Sequence, residues 1–264
     1  MRNSRLWNIL PLCIWILIIS CKKDDPSRLV PPPVPDQSFV EEFDTVSAAF
    51  HRGWIPINNS NPKGSGIWTQ SGGPAPLFAP YSSKGTFAGF IAADFLSTSA
   101  ERGVISNWLL SPLVFMKNGD RITFYTRTAL YLVNGGDSTD FGNNLEVCIN
   151  RKNESTNVGI ARDPRDAQYN PVTDRGDFDL LLSINPPGYD TTNKLFIYRN
   201  AHTLPDLYDP LAFPLRWTKF IVTINGITKS HKGRFAFRYY TLDAGSNGNA
   251  TAVAIDQVTF TSSK

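Results

Sequence analysis

Alternating apolar and polar positions form short runs along most of the chain. The clearest run covers residues 145–150, and its apolar positions are Leu145, Val147 and Ile149. Residues 234–239 alternate in the same way. Because successive side chains of a β-strand point to opposite faces, each run predicts a strand with one apolar face.

Clusters of Gly, Asn, Pro, Asp and Ser separate these runs, and no stretch keeps the 3.6-residue period of a long amphipathic helix. The pattern predicts strands at residues 39–43, 66–70, 86–93, 121–128, 144–150, 179–184, 218–225, 234–241 and 252–260. Strands with one apolar face suit two antiparallel sheets packed face to face. We therefore predict an all-β sandwich, with residues 129–143 and 159–176 as loops at its ends.

The N-terminal segment has the organisation of a secretory signal peptide. Arg2 and Arg5 precede an uncharged apolar run at residues 6–19. This run is shorter than the roughly 20 apolar residues that span a bilayer, and Pro11 interrupts it. These features favour a cleaved signal at residues 1–20 over a permanent transmembrane helix.

The end of this segment, Ile18-Ile19-Ser20-Cys21, resembles a bacterial lipobox. The resemblance implies that Cys21 is acylated and becomes the mature N-terminus, with lipid chains that hold the protein at a membrane. The following Lys-Lys-Asp-Asp at residues 22–25 resembles the tag of surface-exposed lipoproteins of the Bacteroidota. We expect an outer-membrane lipoprotein exposed at the cell surface; the alternative is an ordinary signal peptide followed by an unmodified cysteine.

A proline-rich stretch follows the tag. Pro31, Pro32, Pro33 and Pro35 lie within it, and proline at this density favours an extended polyproline spacer. We predict a lipid-anchored linker at residues 21–37 and one β-sandwich domain at residues 38–264. A disordered tail would serve the same role.

Charge and cysteine content exclude several classes of protein. The chain has 26 basic and 23 acidic residues, a net charge of +3, and the basic residues are scattered, so we expect no nucleic-acid partner. Of the three cysteines, only Cys148 belongs to the predicted domain, and its apolar neighbours favour a buried, unreactive thiol over a catalytic one.

Several segments, in order, resemble the choice-of-anchor J domain, a cleaved-adhesin and MAM-like family of bacterial surface proteins. These segments are Glu42-Phe43, Gly53-Trp54, ISNWLLSP at 105–112, GDRITF at 119–124, Leu145-Glu146-Val147, WTKF at 217–220, GRFAFRYY at 233–240 and AIDQV at 254–258. The resemblance implies an antiparallel jelly-roll β-sandwich, concanavalin/MAM-like, that serves adhesion or ligand binding without a common catalytic motif. The loops at 162–179 and 189–214 depart from the family pattern.

Tryptophans are the candidate ligand-binding residues, because sugar C–H groups stack on exposed aromatic faces. Trp54 and Trp68 flank a segment rich in Gly, Asn, Pro and Ser, and we take them as candidate ligand-binding residues, with core packing as the alternative. Trp108 and Trp217 have apolar neighbours, which favours the core for both.

Asp256 interrupts an otherwise apolar strand, where a carboxylate needs a partner. In jelly-roll binding domains a structural Ca²⁺ often joins the first strand to the last, so we predict a calcium site formed by Asp256, Glu42 and Asp44, with Glu41 as a further oxygen donor. The alternative is that Asp256 caps backbone amides or pairs with Arg238.

The sequence offers little support for an enzyme. Glu146 has no second strand-borne glutamate to form the carboxylate pair of a glycosidase. The chain also lacks a Gly-x-Ser-x-Gly motif. We therefore expect a non-catalytic module that binds an extracellular glycan or protein. The alternatives are a carbohydrate-active hydrolase on a jelly-roll scaffold and a structural subunit of a surface complex.

Overall fold

The computed structural model describes residues 36–72, 78–82, 88–133 and 135–263. The predicted signal peptide, Cys21 and the linker up to residue 35 lie outside the described residues. Among the helices of the described ranges, none is long and apolar enough to cross a membrane.

Strands account for nearly all of the regular structure. In chain order they are β1 (Phe39–Glu41), β2 (Ile55–Asn58), β3 (Thr69–Gly72), β4 (Ala88–Asp94), β5 (Gly103–Leu110), β6 (Val114–Met116), β7 (Arg121–Thr128), β8 (Tyr131–Leu132), β9 (Ser138–Thr139), β10 (Leu145–Ile149), β11 (Asp179–Ile184), β12 (Gly188–Asp190), β13 (Leu195–Ile197), β14 (Thr218–Thr223), β15 (His231–Gly233), β16 (Phe235–Ala244) and β17 (Ala252–Thr261). A short helix, α1 (Val46–His51), follows β1, and a 3₁₀ turn (Phe95–Ser97) follows β4.

Two antiparallel sheets form the sandwich. The front sheet has the order β14-β7-β17-β4-β3, and β1 also pairs with β17. The back sheet has the order β11-β10-β16-β5-β2. The short pairs β12-β13, β15-β6 and β8-β9 lie outside the two sheets. The predicted fold class, an antiparallel β-sandwich, is confirmed.

The main core consists of the inward faces of the two sheets. Phe124 of β7 meets Phe237 of β16 with 4.9 Å between ring centroids, and both side chains are fully buried. The apolar positions of β10, among them Leu145 and Val147, also belong to this core, as their alternation predicts.

The outer face of the back sheet is covered as well. Trp108, Cys148 and Ala236 point away from the main core and pack against Val158 and Phe178 of the segment between β10 and β11. The predicted burial of Cys148 is confirmed, and burial raises the pKa of its thiol well above the usual value.

Glu146 shares this covered face, although its strand pattern indicated a polar, open side. Its carboxylate binds Arg175 at 2.9 Å and Arg238 at 3.0 Å. Burial works to raise the pKa of Glu146, but the charges of Arg238 and Arg175 outweigh it and hold that pKa below its usual value. Glu146 is therefore part of a buried ion-pair cluster.

Candidate functional site

Trp54 is a core residue, and its prediction as a ligand-binding residue was wrong. Its side chain is 2% exposed. The ring packs edge-on against Phe43 at 5.1 Å and Phe235 at 5.8 Å between centroids. The indole N–H donates to Glu41 Oε2 at 3.2 Å, so neither the face nor the polar edge of the ring is open to a ligand.

Trp68 is also buried, at 0% exposure, and its indole N–H donates to the carbonyl of Asn107 at 3.0 Å. The prediction that it binds a ligand was wrong for a specific reason. Asn58 donates from Nδ2 to the carbonyls of Gly66 and Ser97 and folds the polar segment between the two tryptophans against the sandwich. Loop-like composition did not imply exposure here.

Trp108 and Trp217 differ from each other. Trp108 is fully buried, as predicted. Trp217 is only half-buried, and it packs edge-on against Phe78 and Phe90 at 5.7 and 5.5 Å between centroids. Its indole N–H donates to the carbonyl of Ala79. Because Trp217 stays partly exposed, its predicted core position was wrong.

A pocket of about 520 Å³ lies in the loops at one end of the sandwich. We call it the loop pocket, and its lining residues are Phe95, Arg102, Tyr131, Phe141 and residues 245–251. Its volume falls in the range of about 300–1,000 Å³ that is usual for small-molecule sites.

The strand register brings these loops together. Ala252 of β17 pairs with Asp94 of β4, and Val253 pairs with Thr128 of β7. The turn after β4, the segment after β7 and the loop before β17 therefore meet at one end of the front sheet. The same loop before β17 also lies against the segment that precedes β5, because Gly245 is so close to the Ala100 carbonyl that a Cβ there would overlap it.

Two lining residues have a left-handed backbone that L-amino acids rarely adopt. Phe141 has φ 51° and Ala250 has φ 91°, and such conformations cost about 1–3 kcal/mol each. The Ala250 N–H donates to the Phe141 carbonyl at 3.2 Å, so the two strained residues support each other. Phe141 is nevertheless 39% exposed, so core packing does not account for its position at the pocket.

A buried polar network supports the pocket floor. The side-chain oxygen of Asn143 accepts from Tyr239 Oη at 2.6 Å and from the Thr251 N–H at 3.1 Å. Its Nδ2 donates to the hydroxyls of Thr128 at 2.8 Å and Thr251 at 3.0 Å. Since Thr251 lines the pocket, Asn143 fixes the position of the floor from beneath.

Asp140 belongs to the same network. It accepts from the N–H groups of Ala201 at 2.7 Å and Gly142 at 3.1 Å, and from Asn143 Nδ2 at 3.1 Å. Burial raises the pKa of Asp140 to about 6, although these hydrogen bonds oppose the shift. The carboxyl group thus holds the backbone next to Phe141.

The pocket surface differs from its floor, because several polar groups there have no partner within the described part of the chain. These are the side chains of Arg102, Ser246 and Asn247 and the hydroxyl of Tyr131. Aromatic rings beside free hydrogen-bond donors can stack on an apolar ring face and bind hydroxyl or anionic groups around it.

These residues were missed at the sequence level. Phe141 stands within a stretch predicted as an end loop, and residues 245–249 read Gly-Ser-Asn-Gly-Asn, a turn signal. An aromatic residue directly before Gly142 in a loop was the available hint. It did not show that Phe141 and the turn, which are distant in sequence, lie side by side.

Asp256, predicted as a metal ligand, caps backbone amides. Its Oδ2 accepts from the N–H groups of Tyr81 at 2.8 Å and Ser82 at 3.0 Å, and its Oδ1 accepts from the Gln257 N–H. Burial raises the pKa of Asp256 to about 7, and the negative charge of Glu42 adds to the shift. Across the described ranges, no group of three or more His, Cys, Asp or Glu side chains is arranged to hold a metal ion.

Glu42 and Asp44, the other two predicted ligands, each keep one buried carboxylate oxygen without a hydrogen-bond partner in the described chain, Oε2 and Oδ1 respectively. A buried oxygen of this kind suits a bound hard cation. Glu41 is not free for that role, because both its oxygens bind Arg52.

The chain is thus an antiparallel β-sandwich with a preformed pocket in its end loops. No family model matches it, so the resemblance to the choice-of-anchor J domain stays a prediction. No curated protein matches it either.

Solved structures similar to this chain include adhesin and carbohydrate-binding domains. The K1 cleaved adhesin domain of Lys-gingipain from Porphyromonas gingivalis W83 is 16% identical, with 86% of this chain and 99% of that chain covered and a TM-score of 0.48. The K2 domain of Lys-gingipain is 14% identical, with 86% and 99% covered and a TM-score of 0.47. The family 11 carbohydrate-binding module from Clostridium thermocellum is 8% identical, with 88% and 91% covered and a TM-score of 0.29. Identities this low do not transfer a ligand.

Proposed function

We propose that this protein is a surface-tethered, non-catalytic binding module that takes an extracellular glycan in the loop pocket. The main support for the proposal is the position of Phe141 at the pocket. Phe141 is partly exposed there, on a strained backbone that a buried network holds in place. Strain of this kind persists where the surroundings impose it, and it concentrates at binding sites.

A glycan suits the pocket better than a purely apolar ligand. Phe141 and Tyr131 are partly exposed aromatic residues of the pocket lining, and sugar C–H groups stack on exposed aromatic faces. Ser246 and Asn247 offer polar groups without internal partners in the described residues, and these suit sugar hydroxyls. A host or matrix protein is the other ligand class, and it is an outcome of the test below.

The anchoring part of the proposal rests on the N-terminal sequence. Cleavage before Cys21 and its acylation leave the domain on a proline-rich linker at the outer membrane, exposed to the medium. In the native host, the Cys21→Ala variant is then released in soluble form. Continued fractionation of this variant with membranes contradicts the lipoprotein assignment.

A glycan array tests the ligand class. The mature chain with Cys21→Ala is compared with the same chain carrying Phe141→Gly, and Tyr208→Ala serves as the control because Tyr208 is an exposed aromatic residue outside the loop pocket. We expect glycan binding that Phe141→Gly removes and Tyr208→Ala leaves intact. A blank array contradicts a glycan ligand, and release of free sugars contradicts a non-catalytic module.

We also propose a structural calcium ion beside Glu42 and Asp44, with Asp256 near it. The buried, unpartnered oxygens of Glu42 and Asp44 support this site. Calcium then raises the thermal midpoint of the wild type, a chelator lowers it, and Glu42→Gln removes the difference. An unchanged midpoint in chelator overturns the calcium proposal.

A further inference from the structure

The described lining of the loop pocket carries a positive charge and no negative one. Among the described residues that line it, Arg102 is the one Lys or Arg, and none is Asp or Glu. We infer that the glycan taken by this pocket is anionic, with a carboxylate or sulfate group that binds the guanidinium of Arg102. This inference rests on the proposed function and narrows its ligand class.

Arg102 differs from most arginines of the domain, because it has no carboxylate partner among the described residues. The arginines that bind Asp or Glu side chains are Arg52, Arg151, Arg162, Arg165, Arg175, Arg199 and Arg238. Arg102 is exposed and makes no ion pair within the described residues. A guanidinium left free at a pocket can form two parallel hydrogen bonds to a carboxylate or sulfate.

The two acidic residues nearest to Arg102 in sequence do not form an ion pair with its guanidinium. Asp94 turns its Oδ1 to the N–H of Leu96, where it caps the 3₁₀ turn. Glu101 lies next to Arg102 and contributes its backbone carbonyl, which accepts from the Asn247 N–H at 3.2 Å. Neither side chain lines the pocket.

Asp94 also limits where an anion can sit. Burial and then the negative charge of Asp94 raise the pKa of Tyr131, and a phenol hydroxyl is a hydrogen-bond donor near neutral pH. The same negative charge repels an anion from the Tyr131 side. The ligand's charged group therefore belongs beside Arg102, with its sugar ring toward the rings of Tyr131 and Phe141.

Two sources supply this chemistry, the carboxylate of a uronic acid and the sulfate ester of a sulfated polysaccharide. Calorimetric titration of the mature Cys21→Ala chain uses one matched pair for each source. The first pair is galacturonate oligomers and their methyl-esterified forms, and the second is sulfated and desulfated galactan oligomers. We expect binding of at least one anionic member, weakened by added NaCl, and at least tenfold weaker binding of its neutral counterpart.

Arg102→Gln then lowers the affinity for the anionic oligomer by about tenfold or more, the effect of losing a charge-assisted hydrogen bond. Arg102→Lys keeps part of that affinity, and Arg121→Gln, a change at an exposed arginine outside the pocket, keeps all of it. Equal binding of charged and neutral oligomers, or an unchanged affinity in Arg102→Gln, overturns the inference.

The two proposals can fail separately. If neutral glycans bind, Phe141→Gly abolishes their binding and Arg102→Gln has no effect, the pocket is a glycan site and the anionic ligand class is wrong. If neither oligomer pair binds, the anionic class is wrong, and a blank glycan array is what overturns the glycan site itself.

Discussion

Two groups of aromatic residues in this molecule differ in burial. Trp54 and Trp68 have their ring faces packed and their indole N–H groups bound to buried acceptors. Tyr131 and Phe141 stand partly exposed at the loop pocket. The tryptophans stabilise the sandwich, whereas the pocket rings are held in place by it.

The difference shows that composition around an aromatic residue is a poor guide to its role. Both groups lie in or beside segments rich in turn-forming residues. What separates them is the local support: Asn58 folds the segment between the tryptophans inward, and the Asn143 network holds the segment of Phe141 at the rim. In each region a buried asparagine amide, at the end of β2 or just before β10, binds the polar segment beside the aromatic residues.

The largest expected loss of stability comes from replacing a buried tryptophan. Trp54→Ala lowers the free energy of unfolding by about 3–5 kcal/mol, because it leaves a cavity among packed rings and leaves Glu41 Oε2 without the indole donor. Urea denaturation measures the loss, and Trp54→Phe, which keeps a ring, is the milder control. A loss of glycan binding without loss of stability restores Trp54 as a ligand-binding residue.

The next effect is on the network beneath the pocket. Asn143→Ala leaves Tyr239 Oη and the Thr251 N–H without their acceptor, and each buried group left unpaired costs about 1–3 kcal/mol. We expect lower stability and weaker glycan binding together, measured by denaturation and titration at a temperature where the variant is folded. If the folded variant binds the glycan with full affinity, the network does not support the binding site.

Protonation of Asp140 gives a smaller effect that depends on pH. The folded-state pKa is raised to about 6, above the unfolded value, so the group contributes stability that is fully present below about pH 4 and is lost as the pH rises through about 6. The slope from this one proton is at most about 1.4 kcal/mol per pH unit. Denaturation of the wild type and Asp140→Asn from pH 4 to 7 measures the contribution of this proton to stability. Identical pH profiles of the two proteins contradict the raised pKa of Asp140.

The smallest effect on stability, and the one with the opposite sign, is at Phe141. Phe141→Gly relieves the left-handed backbone and raises the free energy of unfolding by about 1 kcal/mol or leaves it unchanged. Thermal denaturation measures it beside Phe43→Gly, a core residue that is also left-handed, at φ 53°. A loss for Phe141→Gly as large as that of the core variant makes Phe141 a structural residue.

Much of the sandwich could be predicted from the sequence because alternation follows directly from the two-residue period of a strand. The predicted ranges 121–128 and 179–184 match β7 and β11, and the core faces of β10 and β16 are as predicted. The strand β5 was not predicted, because its sequence, Gly-Val-Ile-Ser-Asn-Trp-Leu-Leu, does not alternate between apolar and polar positions.

The candidate site could not be predicted in the same way. Arg102, Phe141 and the turn at 245–249 come from distant parts of the chain. The register of β16 with β5, and of β17 with β4 and β7, brings their loops together. Glu146 looked solvent-facing for the same reason, since its cover comes from Arg175 in a later segment. Local patterns identify strands, but loop contacts between distant segments depend on the whole fold.

The most direct test of the central claim, that the loop pocket is the binding site, is amide chemical-shift mapping of the mature Cys21→Ala chain during titration with a glycan that binds on the array. We predict that the largest shifts cluster at Arg102, Phe141 and residues 245–251, and that they disappear in Phe141→Gly. Shifts centred on the half-buried Trp217 instead, with none around the loop pocket, would contradict it.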